Sequence, residues 1–289
     1  VIGKDCYRSI NHRLNQLLKE KKILLAVHRG SSAGNIIENT IPAYLASLKM
    51  GGDILEADVV LSKDKEIYHF HSGMERKNFQ KAIDIQTYTA TEIEALTYIN
   101  SNLEETAYPV EKLETTLNYF KGKCLINIDR GWNFLPEICE LVEKTGTTDQ
   151  ILLKGPLTKE VTTFLQESEI KYMFMPKVST LEELDQVDAL RDINVVGLEV
   201  KAINETSDFF QKENIQKIKE KGLFVWVNSL TMDDQKQLFA GYDDNTSILE
   251  GEENGWSVIF DKGANVIQTD WPALVAKSRD TWLERQGHL

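Results

Sequence analysis

The sequence predicts an α/β fold, a TIM (β/α)8 barrel with one extra antiparallel strand returning after the second barrel strand. Three observations predict it. Eight apolar runs near Leu25, Leu55, Ile126, Leu152, Phe174, Leu198, Val225 and Ile267 alternate with segments of helical period. Repeated strand–helix units favour a parallel sheet with helices outside. Each run closes on a polar or charged residue: His28, Asp58, Asp129, Lys154, Lys177, Lys201, Asn228 and Asp270. In a barrel these ends share one rim, where active sites form, and an open doubly wound sheet would gather them less well. Finally, 289 residues of which 42% are hydrophobic suffice for one large core. A single barrel domain over 1–289 is therefore expected, with an N-terminal helix at 1–22 and an insertion at about 241–257.

The N-terminal segment places Ile10, Leu14, Leu17 and Leu18 at helical spacing and could close the bottom of a barrel. His12 on it reads as a surface or packing residue. Ile23 to Val27 is the first strand and stops at His28-Arg29-Gly30. Glu38 to Met50 has helical period, tolerates Pro42 in its first turn and ends at Gly51-Gly52. Asp53 to Leu61 is the second strand, and its Glu56 and Asp58 share a face because strand side chains alternate. A hairpin centred on Lys63-Asp64 would set Glu56 opposite His71 and Asp58 opposite His69. Short helices are expected at Thr91 to Leu96, with a threonine cap, and at Val110 to Phe120. Regular strand–helix alternation then runs on, with a helix opening at Thr231 and a loop-like acidic stretch from Gly241 to Trp256.

The motifs on this frame resemble those of the glycerophosphodiester phosphodiesterases. That family has H-R-G, then E-N-T opening a helix, E-x-D on the second strand and H-D on the return strand. This chain supplies His28-Arg29-Gly30, Glu38-Asn39-Thr40, Glu56-Ala57-Asp58 and His71 in the same order and spacing, and VIQTDWP at Val266 to Pro272 resembles the closing strand. The resemblance implies a TIM-barrel phosphoric diester hydrolase that releases an alcohol and sn-glycerol 3-phosphate. It implies His28 and His71 as general acid and base, a role suited to imidazoles that titrate near neutrality.

Glu56 and Asp58, flanked by apolar residues, suit a divalent cation with oxygen ligands, Mg²⁺ or Ca²⁺, and Asp129 can complete the set. Arg29 offers a planar fork for phosphate oxygens or a structural tie to Glu38. Glu38 at a helix start suits the helix dipole, and the family match adds a site role. Trp226 and Trp271 either line the pocket or pack in the core.

Three positions depart from the family pattern. Its E-x-K appears as Asp129-Arg130-Gly131, which removes a lysine near the phosphate, and its His-Asp appears as His71-Ser72. Lys154 is a candidate replacement for that lysine, with a plain rim lysine as the other reading. Two further readings follow: a lysophospholipase D-like or other phosphodiesterase, with an apolar entrance formed by the helix from Phe134 and the 241–257 insertion, and a catalytically weak phosphate-binding protein.

Composition narrows the partners. A net charge of -12 disfavours a general nucleic-acid or anionic-membrane surface. No apolar run is long enough to span a bilayer. A small phosphodiester is the expected partner. Cys6, Cys124 and Cys139 are an odd count without metal-ligand spacing, which leans towards a reducing, cytoplasmic setting. The chain begins with Val1 rather than Met, and a trimmed targeting segment is another reading of that start.

Overall fold

Eight parallel strands close on themselves in the computed structural model, which describes residues 1–287. They are β1 (Leu24–Val27), β2 (Ile54–Leu61), then β4 (Leu125–Asp129), β5 (Ile151–Gly155), β6 (Met173–Val178), β7 (Gly197–Val200), β8 (Phe224–Asn228) and β9 (Val266–Thr269). Each strand pairs with the next around the ring, and β9 and β2 both pair with β1. The short strand β3 (Ile67–His69) lies outside the ring, antiparallel to β2. The fold is a TIM barrel with one added strand.

The strands are apolar almost throughout because both faces are covered. Leu24, Ala26, Ile54, Leu125, Met175 and Trp226 point inward and pack on one another. Alternate residues such as Leu25, Leu55 and Val225 point outward against the helices. Helix α1 (His12–Lys21) adds Leu14 to the inner cluster and so closes one end. Asn11, just before it, exchanges two side-chain hydrogen bonds with Asn194, at 3.0 and 2.8 Å. Among the described residues no helix is long and apolar enough to cross a membrane.

Several elements differ from the sequence reading. The expected helix over 1–22 is only α1, preceded by a single 3-10 turn at Asp5–Tyr7. Helix α2 is Ile41–Lys49, so Glu38 lies ahead of it rather than in its first turn. The cause is local: Asn39 adopts a left-handed φ of 58° and Thr40 is extended, which delays the helix. The short helix is Ala90–Glu94, capped by Thr89 and Glu92 in a capping box rather than by Thr91. No helix opens at Thr231, and the acidic stretch contains a helix, Asp244–Glu250, started by the Asp243 side chain.

The hairpin register is also displaced by one residue. Val59 pairs with His69 and Leu61 with Ile67, so neither Glu56–His71 nor Asp58–His69 are partners. The turn has three residues between Ser62 and Glu66, with Lys65 left-handed at φ 70°. One extra turn residue flips every side chain of the returning strand. His69 therefore faces the helix layer, fully buried edge-on to Tyr44.

The turn from β1 towards α2 holds the first site residues. Arg29 and Gly30 are both left-handed, at φ 55° and 75°, and a Cβ on Gly30 would lie 2.9 Å from the backbone of Ala43. Gly30→Ala should destabilise the protein by about 1–3 kcal/mol through strain and overlap, measured by chemical denaturation. An unchanged unfolding midpoint would mean the turn is softer than its geometry indicates.

Candidate active site

The C-terminal rim of the barrel carries a cavity of about 180 Å³ reached by side chains from all eight barrel strands or their ends, and by His71 from the end of β3. Glu56 and Asp58 project into it from β2, at 1% and 2% exposure. Asp58 lies beside Asp129 of β4 in register. Oxygen atoms of Glu56, Asp58 and Asp129 lie within 4.8 Å of one another.

The loops after β1 hold these acids in place. The Arg29 backbone N–H donates to Glu56 Oε2 at 3.0 Å. The Asn39 amide grips Asp58 twice: its Nδ2 donates to Oδ2 at 3.4 Å, and its Oδ1 accepts from the Asp58 N–H at 3.1 Å. Tyr44 hydroxyl donates to the same Asn39 oxygen at 3.0 Å. The left-handed Asn39 thus works as a clamp on Asp58, a role the helical reading of that segment concealed.

Four cations answer the acids. Lys154 Nζ lies 2.7 Å from Asp129, 3.1 Å from Glu199 and 3.8 Å from Glu56. Lys177 Nζ reaches the other Asp129 oxygen at 3.2 Å. Arg29 Nε is 2.8 Å from Asp58, and Arg130 Nε is 3.4 Å away on its far side. Burial alone would raise the Asp129 pKa, but Lys154 and Lys177 overcome it and hold the carboxyl well below its usual range. Asp58 goes the other way. Burial and the charge of Glu56 push it up despite Arg29. Burial disfavours the Lys154 charge, yet Asp129, Glu199 and Glu56 more than restore it, and its pKa is raised.

The two histidines that reach the cavity sit in opposite fields. His28 Nδ1 lies 2.9 Å from Asp270 Oδ1. Burial lowers its pKa, but the Asp270 hydrogen bond and the charge of Glu56 prevail and the net shift is upward. Asp270 is itself anchored through Asp244, whose Oδ2 accepts from the Asp270 N–H at 3.0 Å. Asp244 also accepts from Ser229, Trp256 and Thr269. His71, by contrast, has Nδ1 2.8 Å from the Ser72 carbonyl oxygen. Burial, then Arg29 and Arg130, pull its pKa down to about 4.

The remaining expected site residues fall as follows. Glu38 is buried and bound by Lys77 at 2.6 Å, Asn78 at 3.3 Å and Arg29 at 3.5 Å, beside the cavity rather than in it. Trp226 is fully buried beneath the rim, its indole N–H shared between Asn228 and Gln268, so it has no surface to offer a ligand. Lys154 is 3% exposed and held by three acids, which leaves it no free charge for a phosphate. Lys177, with a side chain 36% exposed above Trp132, Arg130, 40% exposed, and the exposed Lys236 are the accessible cations on the wall. Lys201 is exposed and absent from the cavity wall.

Gly131 also proves to be a packing position. A Cβ there would lie 2.2 Å from Ile138 Cδ1, because Arg130 turns left-handed and sends the next residue into the helix layer. A lysine at 131 would not point at the cavity on this backbone. Glu199, which binds Lys154, is a site residue that no motif singles out; its inward parity on β7 is the signal that marks it.

The donor set fits a divalent cation. Three convergent carboxylates supply oxygen ligands, and the mutual repulsion that raises Asp58 would be relieved by an ion among them.

Comparison with known proteins agrees with the sequence resemblance. A family profile described as a domain of unknown function, DUF4996, matches residues 172–277. The glycerophosphodiester phosphodiesterase of Bacillus subtilis (strain 168) is 24% identical over 226 residues, 72% of this chain and 77% of that one. Among solved structures, a glycerophosphoryl diester phosphodiesterase from Parabacteroides distasonis superposes with a TM-score of 0.73 at 19% identity, covering 90% of this chain and 86% of the other. An Oleispira antarctica phosphodiesterase, solved with its product sn-glycerol-3-phosphate, gives a TM-score of 0.62 at 17% identity over 89% and 96% of the two chains. The relatives and structural neighbours are thus phosphoric diester hydrolases.

Lys154→Ala should cost about 3 kcal/mol or more of stability, since it strands buried carboxylates. Lys177→Ala should cost about 1 kcal/mol or less yet weaken inorganic phosphate binding. Denaturation and phosphate titration of both variants check this; the reverse ranking in either measurement would contradict the charge assignment.

Proposed function

We propose that this protein is a divalent-cation-dependent glycerophosphodiester phosphodiesterase. It would cleave small glycerophosphodiesters to an alcohol and sn-glycerol 3-phosphate. The observation that carries this reading is the pair of oppositely biased imidazoles, His28 and His71, facing one cavity beside three convergent carboxylates. Mg²⁺ or Ca²⁺ held by Glu56, Asp58 and Asp129 would neutralise charge on the phosphoryl oxygens.

The electrostatics support an assignment of roles. The Nδ1–H of His71 donates to the Ser72 carbonyl, which leaves the lone pair on Nε2. With a lowered pKa the ring is neutral and able to take a proton, so His71 is the base. Two of the groups that depress it, Arg29 and Arg130, would be partly neutralised by a phosphodiester anion. Substrate binding therefore raises the basicity of His71 towards the working pH. Ser72 in place of an aspartate leaves the orientation of His71 to a backbone carbonyl.

His28 is the acid, since Asp270 accepts from Nδ1–H and favours the imidazolium. His71 Nε2 removes the proton from the glycerol 2-hydroxyl, and that oxygen attacks phosphorus. The bond from phosphorus to the alcohol oxygen breaks, and His28 Nε2–H protonates the departing oxygen. Water then opens the resulting cyclic phosphate, giving its proton to the now neutral His28 while His71 returns its proton to the 2-oxygen.

Replacing His28 or His71 with Ala should lower turnover by roughly 10²–10⁴, with release of glycerol 3-phosphate as the assay. Wild-type protein that turns over no glycerophosphodiester with either cation would sink the reading. The pH profile separates the two roles. Activity should rise as His71 deprotonates and fall as His28 deprotonates, the latter above the ordinary imidazole value of about 6.5. Asp270→Asn removes the charge that raises His28, so the alkaline limb of kcat/KM should move to lower pH. An unmoved limb would reject His28 as the acid.

A further inference from the structure

A second cavity, about 660 Å³, begins at His28, Arg29 and Asp270 and runs outward between the end of α2 and the helix Pro272–Arg285. Its volume is that of a site for a small organic ligand. Its outer walls are apolar and wet: Met50 is 44% exposed, Trp271 50% and Leu274 44%. An adjoining furrow of about 260 Å³ shares Ala33 and Ile36 with it and ends at Leu103, itself 73% exposed. Large apolar side chains from three separate parts of the chain, Ile36, Met50 and Trp271 with Leu274, thus border the channel leading to His28. A contiguous apolar surface of this kind marks a binding site.

The charges along the channel are already spent on one another. Lys77 is paired with Glu38 at 2.6 Å, Arg29 lies between Glu38 and Asp58, and Asp270 is taken by His28. Among the described residues the one carboxylate on the wall that keeps an open oxygen is Asp270, whose Oδ1 is held by His28, so the channel offers a cationic head group little beside its apolar wall. The channel starts at the imidazole assigned to protonate the departing oxygen, so it lies open to the first carbons of the alcohol.

We propose that the leaving alcohol of the substrate carries a neutral hydrocarbon chain, which lies in this channel against Met50, Trp271 and Leu274. The inference rests on the assignment of His28 as the acid in the proposed phosphodiesterase reaction. It makes these three residues determinants of the leaving group, whereas Phe134 and the 241–257 stretch, where an apolar entrance is anticipated, do not line the channel.

The test is a series of glycerophosphoalkanols with ethyl, butyl and octyl chains, kept below their aggregation concentrations, with glycerophosphocholine and a short-chain lysophosphatidylcholine beside them. From ethyl to octyl, kcat/KM should rise at least about tenfold as methylenes leave water. Met50→Ser and Leu274→Ser, both at exposed positions, should flatten the series and leave the ethyl substrate unchanged. A flat wild-type series, or preference for glycerophosphocholine over the octyl compound, would overturn the proposal. So would preferential cleavage of the lysophosphatidylcholine with the same sensitivity to Leu274→Ser, which would assign the chain to the glycerol half. A dimer that Leu274→Ser dissolves, together with a flat series, would assign the channel to a second copy of this protein. Binding of n-octyl phosphate relative to ethyl phosphate, by calorimetry, reads the channel without turnover. It should be at least about tenfold tighter in wild type and equal in Leu274→Ser. If no diester is cleaved but this difference holds, the proposed activity fails and the channel stands; if octyl and ethyl phosphate bind alike, the channel fails.

Discussion

An ammonium group buried inside a barrel is stable only if carboxylates surround it, and Lys154 is the point about which the rim is arranged. Its three acidic neighbours come from three strands, β2, β4 and β7. Desolvating one such ion costs several kcal/mol, and close, well-placed partners have to recover it. Asp129 serves Lys154 with one oxygen and Lys177 with the other. Four carboxylates and five cationic side chains, Lys236 among them, therefore share the cavity, and Asp58 and Asp129 are driven in opposite directions by where they sit among them. A cation entering this set competes with Lys154 and Arg29 for oxygens they already hold. Glu199, already 3.1 Å from Lys154, would remain its partner.

The second consequence concerns the histidines. His28 takes its bias from Asp270, and Asp270 takes its position from Asp244, a residue of the acidic stretch after β8. Asp244 is buried and its pKa is raised to about 6 by desolvation, against hydrogen bonds from the Asp270 backbone and three side chains. The stretch that looks like a surface loop in sequence thus supplies an internal brace for His28. His71 has no such brace. It leaves the end of β3 after Phe70, and its ring is held by the carbonyl of the next residue. One imidazole is raised by a carboxylate and the other lowered by burial and by guanidinium groups, so a single cavity holds two imidazoles of opposite bias.

Much of this was legible in the sequence because strands buried on both faces write themselves as apolar runs, and their polar last residues mark the rim. His28, Glu56, Asp58, Asp129 and His71 are brought together as the motif order implied. Legibility failed where backbone conformation departed from the residue's usual preference. Lys65 and Asn39 adopt left-handed φ without being glycine, and those two positions account for the shifted hairpin register and the late start of α2. It failed again where partners are distant in sequence. The charge of Lys154 is taken by Glu56, Asp129 and Glu199, all remote from it in sequence, and the space beside Gly131 is filled by Ile138. The apolar channel joins Met50 to Leu274, a juxtaposition that no local periodicity records.

The most direct measurement is calorimetric titration of metal-stripped protein with Mg²⁺ and Ca²⁺, repeated on Asp58→Asn and Asp129→Asn. The arrangement of the rim predicts one binding site in the wild type, lost or weakened at least about tenfold in each variant. Wild-type protein that binds neither cation, or binding that survives both substitutions undiminished, would contradict it.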